Sequence, residues 1–386
     1  MKKLPAFPLL FLLLLLTLAL TPSALWAADS DSAAPEATAL QTAAQPSVQP
    51  SVQPSAQPSA QVPTPVLAQP ENWTLVVIPD PQQYAEAPNH ERYAQMMNWV
   101  AANLEPLRVQ QVLCTGDLVN ANQNPKLWQA TSKAFEVLDG KTPYVLCTGN
   151  HDYGGPKATA DSRETHLSEY FPMDRNPAWK GVLVEAGVSA AGQKSLENAA
   201  YQFTVPGGQK VLVVSIQFAP TDQNLEWVRS VAKKYADHFV ILTTHNYQHS
   251  LSMKNVRSTN RAYKVLKEDG NTGEDIWQKL VKSTPNIRMV ISGHISKPDD
   301  FTGCVGWRTD LNDAGKTVYQ MLFDTQALGG GWGGNGGDGW LRMLEFTPDM
   351  KHVKAYTYSP FFAQNPETAE KAFETSDFNA FEFEID

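Results

Sequence analysis

Cys147-Thr148-Gly149-Asn150-His151-Asp152 follows the short apolar run Tyr144-Val145-Leu146. The pattern recurs along the chain. Gln111-Val112-Leu113-Cys114 leads into Thr115-Gly116-Asp117, and WTLVVIP (Trp73–Pro79) leads into Asp80 and Gln82. HFVILTT ends at His245, IRMVISG ends at His294, and KVLVVSIQ has the same character. These runs are near-continuously apolar and rich in β-branched residues, which predicts strands covered on both faces. Between the first three runs the period changes to that of a helix. Tyr93, Met96, Met97, Val100 and Leu104 form one apolar stripe, and Leu127, Trp128, Ala134, Phe135 and Leu138 form another. Strand, helix, strand predicts parallel pairing for this part. From Val318 onward the strands VYQMLF, WLRMLEF, HVKAYTY and AFEFEI follow without helices, which predicts antiparallel pairing.

The residues that end these runs are metal-ligand types: Asp80 and Gln82, Asp117, Asn150, His151 and Asp152, His245, and His294. Open α/β sheets bind ligands beyond the carboxyl ends of their strands, so these side chains can converge. Carboxylate and imidazole together suit Zn, Mn, Fe or Co. Taken singly, Asp80 before Pro81 reads as a turn residue and Asp117 as a helix cap. The ordered set carries the reading. His90, His166, His238 and His352 lack such context and read as structural or solvent-exposed. His249 reads as a surface or substrate-facing residue, not a ligand.

The chain has 386 residues, with 31 Lys and Arg against 40 Asp and Glu, a net charge of −9. That balance argues against nucleic acid as a partner. Three cysteines exclude a disulfide scaffold. Cys114 and Cys147 occupy equivalent places on neighbouring strands, as buried thiols or as a demanding cross-strand disulfide. Residues 1–70 hold 11 of the 27 prolines and none of the 24 glycines. Lys2 and Lys3, the apolar run Leu9–Leu20 and the small residues Ser23 to Ala28 have the form of a signal peptide over 1–27. Cleavage after Ala27 would leave a secreted or periplasmic protein with no stable membrane span. An uncleaved anchor is the rival reading, although the apolar run is short for one. Residues 28–71, with the repeats QPSV and QPSA, lack the apolar surface to fold and form a semi-stiff spacer. Such a spacer could keep the folded part, 72–386, near a cell envelope.

The ordered set resembles the calcineurin-like metallophosphoesterase superfamily, and the later segments NGGDGWLRMLEF and TYSP look like a secreted bacterial branch of it. Its pattern is D-x-H, G-D, G-N-H-D/E, an isolated H, then G-H-x-H, and the resemblance spans Asp80 to Ser296. It implies an α/β fold, a four-layer αββα sandwich of two mixed β-sheets flanked by helices. It implies two divalent metal ions and a metal-activated water that attacks a phosphomonoester or phosphodiester. Carried over, Asp117 bridges both metals, and Asn150, His245 and His294 complete the second site. His151 is the general acid or phosphate-orienting donor, and Asp152 fixes its tautomer. The first metal would take Asp80 and the residues at 82 and 296. Here the sequence departs from the pattern, with Gln82 and Ser296 where the family has histidines. The first site is thus expected to be weaker, to prefer Mn, Mg or Ca, or to fill only with substrate bound.

Gly329–Gly339 is a glycine-rich loop around Trp332. It reads either as a substrate-binding or lid loop with Trp332 as platform or as a flexible hairpin connection with Trp332 and Trp340 packed in the core, Trp340 leaning to the core. Gln326 or Asp338 could supply the ligand missing at the first metal. The substrate is a small-molecule or polymer phosphate ester. Two rivals stand beside this reading. One is a non-catalytic or weakly active relative that binds a surface. The other is a hydrolase of another ester class on the same fold.

Overall fold

The computed structural model describes residues 62–155, 158–249, 255–298 and 300–386. The stretch read as a signal peptide and most of the spacer lie outside them. Among the described residues no helix is long and apolar enough to cross a membrane.

β1 (Trp73–Ile78), β2 (Val109–Cys114) and β3 (Tyr144–Leu146) pair in parallel, with Val76 opposite Val112 and Leu113 opposite Val145. The helices His90–Ala102 and Pro125–Phe135 join them and bury most of the expected stripes; Leu138 is buried in the turn that follows, while Leu104, beyond the first helix, is only half-buried. Pro125 opens the second helix, and the Asn124 side chain accepts from Lys126 N–H at its start. β4 (Leu183–Val188), β5 (Lys194–Thr204) and β6 (Lys210–Ser215) form an antiparallel meander. The helix Asp222–Lys234, closed by a capping box between Thr221 and Asn224, leads to β7 (Phe239–Thr243), parallel to β6. A small hairpin, β8 (Gln248–His249) and β9 (Val256–Arg257), precedes β10 (Ile287–Ser292), β11 (Val305–Leu311) and β12 (Thr317–Phe323). The chain ends in β13 (Leu341–Phe346), β14 (His352–Tyr358), β15 (Phe373–Glu374) and β16 (Phe381–Glu384).

Two mixed sheets result. One runs β15-β14-β13-β1-β2-β3 with β16 also on β14, and the other runs β11-β12-β10-β7-β6-β5-β4. Strand alternation explains why the runs in the second sheet are apolar throughout. Val211, Val213, Ile241, Met289, Ile291, Met321 and Phe323 face the first sheet. Leu212, Val214, Val240, Leu242 and Val290 face the helices on the outside. Each fully buried Val, Leu or Ile contributes roughly 1.5–3 kcal/mol, so the doubly covered strands anchor the sandwich. Helix, sheet, sheet, helix is the layering expected.

One expectation needs correction. VYQMLF, in β12, is antiparallel to β11 but parallel to β10, with Met289 opposite Tyr319 and Ser292 opposite Leu322. β11, whose outer residues Arg308, Thr309 and Asp310 are polar, supplies the extra reversal. The other three late strands pair antiparallel as expected. At the other end, contacts with the sandwich reach back to Pro63, whose carbonyl accepts from Tyr358 Oη at 3.0 Å. Glu345 on β13 accepts from Ala68 N–H at 2.7 Å and from the Asn72 side chain at 2.6 Å.

Candidate functional site

The parallel strands of both sheets point their carboxyl ends at one place. Asp80, Asp117 and Asn150 leave the first sheet, and His245, His294 and Asp324 leave the second. All but half-buried His294 are buried. The loops approach so closely that side chains are excluded. A Cβ at Gly149 would lie 2.1 Å from Asp117 Oδ1, and one at Gly293 2.1 Å from Asp80 Oδ1. Asp117 and His294 hold positive φ, 47° and 76°, a conformation costing of order 1–3 kcal/mol that the surrounding structure imposes.

Two functional atoms organise the centre. His245 Nδ1 lies 3.0 Å from the Thr115 carbonyl and donates to it. That leaves Nε2 facing inward, and three acceptors surround it: His294 Nδ1 at 3.0 Å, Asn150 Oδ1 at 3.2 Å and Asp117 Oδ2 at 3.4 Å. Asp117, His245 and His294 bring ligand atoms within 4.8 Å of one another. Lone pairs gathered in this way require a cation between them. A proton or a metal ion can fill that role, and an Asp, Asn and two imidazoles form a metal-ion donor set. The second organising atom is Asp117 Oδ1, which accepts from His151 N–H at 2.8 Å.

The electrostatics agree. Burial alone would lower His245, but the Asp117 and Asp80 carboxylates outweigh it and raise the imidazole to about 10. Burial and the charge of His245 push His294 down to about 3, so it stays an unprotonated donor. Burial would raise Asp117, but the neighbouring histidines, His245 first, hold it below the usual carboxylate range. Burial and the charge of Asp324 lift Asp80 well above that range. Burial lifts Asp324 to about 6.

The remaining site residues named from the sequence fall into two groups. Gln82 is in place, its amide nitrogen 3.1 Å from Asp117 Oδ2 and its Oε1 buried without a hydrogen bond. Gln326 is in place too, its Nε2 3.0 Å from Asp324 Oδ2 and 3.5 Å from Asp80 Oδ2. Trp332 is exposed and lines the same cleft, with Gln83, Asn120, His151 and Tyr263. By contrast, Ser296 Oγ accepts from Ala327 N–H at 3.1 Å and meets Cys304 Sγ at 3.4 Å, so it is turned away. Asp338 is engaged by the Asn335 side chain and lines a neighbouring cleft instead. Trp340 is buried against Phe301 and Phe362, as expected.

Asp152 corrects an expectation. It does not hold the His151 ring; its two oxygens accept Val119 N–H at 3.0 Å and Gly149 N–H at 2.8 Å. Burial and the Asp117 charge raise it to about 8. The ring of His151 is set by the Asn120 carbonyl, 2.8 Å from Nδ1. The tight turn through residues 149–152 points the Asp152 carboxyl back under the loop. Sequence reasoning assigned no role to Asp324, Asn120 or Tyr263. Asp324 follows an apolar strand as the other site residues do, and that feature could have marked it. All three cysteines are buried free thiols, with Cys147 N–H donating to the Cys114 carbonyl at 3.1 Å.

The calcineurin-like phosphoesterase family matches residues 74–298, more than half of the chain. The protein YvnB of Bacillus subtilis (strain 168) is 29% identical over 297 residues, which are 75% of this chain and 20% of that protein. The chain thus spans about a fifth of the length of this curated relative. Among solved structures, the purple acid phosphatase PPD1 from yellow lupin (Lupinus luteus) seeds aligns at 13% identity with a TM-score of 0.46, covering 83% of this chain and 55% of that chain. GAP50, the anchor in the inner membrane complex of Plasmodium, aligns at 11% identity and TM-score 0.44, covering 82% of this chain and 89% of that chain. Residues 74–298 contain Asp80, Asp117, Asn150, His245 and His294, and on this match the chain belongs to the calcineurin-like phosphoesterase family.

Proposed function

We propose that this protein is an exported hydrolase of phosphate esters that works with two divalent metal ions. The observation that supports it most is the convergence of Asp117, Asn150 and His294 on Nε2 of His245. The metal ions supply Lewis acidity at the phosphate and an acidic water. Asp117, Asn150, His245 and His294 hold one ion, and Asp80, Asp117 and Gln82 contribute to the other. His151, its Nδ1 hydrogen donated to Asn120, presents Nε2 to the cleft. There it orients the phosphate and donates a proton to the departing oxygen. Asp152 acts on this step only by fixing the loop that carries Asn150 and His151.

The cleft, ≈ 310 Å³, has Gln83, Asn120, Tyr263 and Trp332 as its outer walls. None of its described lining residues is Lys or Arg. A dianionic monoester would find no Lys or Arg among these residues to balance its second charge, whereas a monoanionic diester needs none. Two aromatic rings and two amides suit a flat or apolar ester group. The reading is therefore a phosphodiesterase, with Trp332 and Tyr263 flanking that group. The export part rests on residues 1–27 and is checked by sequencing the amino terminus of the protein recovered outside the cytoplasm, where Ala28 is expected.

The test uses the intact chain, stripped of metal and resupplied separately with Mn, Zn, Mg, Ca, Co and Fe(II). Metal-restored hydrolysis of bis-p-nitrophenyl phosphate over p-nitrophenyl phosphate is expected, with Trp332→Ala raising KM and leaving kcat near wild type. Preference for the monoester would overturn the diester reading alone. Folded protein that hydrolyses neither ester with any metal would overturn the phosphoesterase reading.

A further inference from the structure

We propose that Asp324, with Gln326 beside it, completes the first cation pocket, replacing from β12 the donor that Ser296 does not supply from the β10 loop. This rests on the reading of the site as a metal centre. β10 and β12 are parallel neighbours with Ser292 opposite Leu322, and Asp324 directly follows β12 as the loop carrying His294 follows β10. Asp324 thus enters the site from the strand adjoining the one whose loop carries Ser296. Ser296 meanwhile is occupied with Ala327 N–H and Cys304.

Three carboxylates, Asp80, Asp117 and Asp324, are buried at 0%, 1% and 0% exposure. Among the described residues none of them pairs with a Lys or Arg; His245 lies against Asp80 and Asp117, at 3.7 and 3.4 Å, and Asp324 pairs with no cationic side chain at all. Buried carboxylates without a compensating cation are strongly disfavoured. A second observation points to the same missing partner. Gln82 and Gln326 are each 2% exposed and line the cleft, each with its amide nitrogen on one of these carboxylates. In both, Oε1 is buried with no hydrogen bond. Three carboxylates and two unused amide oxygens would give this pocket an all-oxygen donor set. Such a set takes a hard cation, Mn, Mg or Ca, while the imidazole site beside it suits Zn, Fe or Co. The two pockets of one centre would then differ in the metal they select.

The probe is Mn(II), titrated into the metal-free full chain by calorimetry, with bound ions counted by elemental analysis after gel filtration. Wild type is expected to hold two Mn ions. Asp324→Asn, nearly isosteric, is expected to hold one tightly and to weaken the other by at least about tenfold. His294→Ala is expected to retain the Asp324-dependent ion and lose the other. Thermal melting in chelator keeps the result interpretable. Metal-free Asp324→Asn should still melt in one cooperative transition, so that a lost ion is not lost structure. Two Mn ions of unchanged affinity in folded Asp324→Asn would overturn the assignment and leave the metal-centre reading intact. Wild type that binds no divalent ion would overturn both. Two ions bound with Asp324 required, but no ester hydrolysed, would support this assignment and overturn only the proposed activity.

Discussion

His151 is held by the carbonyl of Asn120, 2.8 Å from its Nδ1, and not by the carboxyl of its neighbour Asp152. Ring and carboxyl therefore have separable tasks. His151→Ala is expected to keep metal affinity and stability while lowering kcat about 10²–10⁴-fold on esters with poor leaving groups. The loss should be much smaller on p-nitrophenyl esters, whose leaving group needs little protonation. Equal loss on both classes, measured as kcat against leaving-group pKa, would contradict a proton-donating role.

Asp152→Asn should act differently. The carboxyl accepts two buried N–H groups, from Val119 and Gly149, and an amide has only one oxygen. One N–H loses its partner, a cost of about 1–3 kcal/mol. Urea unfolding checks this. The activity that remains should fall by the same factor on good and poor leaving groups, because the ring of His151 is untouched.

At Gly149 there is no space for a methyl group. A Cβ there would lie 2.1 Å from Asp117 Oδ1 and 2.4 Å from Asp117 N. Gly149→Ala must move the carboxylate that both proposed ions share, and metal affinity should fall about 10–100-fold. Calorimetric titration with Mn reads this directly, and an unchanged affinity would refute the placement of Asp117.

The buried Glu197 predicts a pH effect away from the site. It accepts from Tyr153 Oη at 2.7 Å and from Ser195 Oγ at 2.9 Å, and burial raises its carboxyl above the ordinary value. Between the unfolded and the raised folded value, the folded protein binds more protons than the unfolded chain. Its stability therefore falls as pH rises through that window. Glu197→Gln removes this dependence, so the variant should gain on wild type as pH rises from 4 towards 7. Urea midpoints for both proteins across that range decide it, and a gap that does not change with pH would count against the assignment.

Much of the fold was legible because doubly buried strands are apolar throughout and then stop at a polar residue. WTLVVI before Asp80 and IRMVIS before His294 each state both a strand and its functional end. β5 was missed because Ser195, Glu197 and Asn198 are polar yet buried, satisfied by Tyr153, by one another and by Gln217. Their partners are distant in sequence, so no local pattern reveals them. β11 was missed because Arg308, Thr309 and Asp310 lie on an outer edge, and missing it reversed the expected direction of β12. At the site, the ligand-type residues were legible one by one. The partner of Asp152 was not, because it depends on how the turn at 149–152 folds back. Asp324 was legible in its place after an apolar strand, but not its proposed role, which depends on what Ser296, in the loop after the neighbouring β10, does not provide.

The donors proposed for this centre are divided between two sheets, Asp80, Asp117 and Asn150 on one and His245, His294 and Asp324 on the other. Neither sheet carries a working set. The arrangement therefore sets a floor on size: no half of the sandwich, excised, duplicated or exchanged, would carry the proposed donor set. It also makes metal affinity a gauge of alignment. A packing change at Met289 or Leu344, in the apolar core and remote from any substrate, would register as a change in how tightly the ion is held.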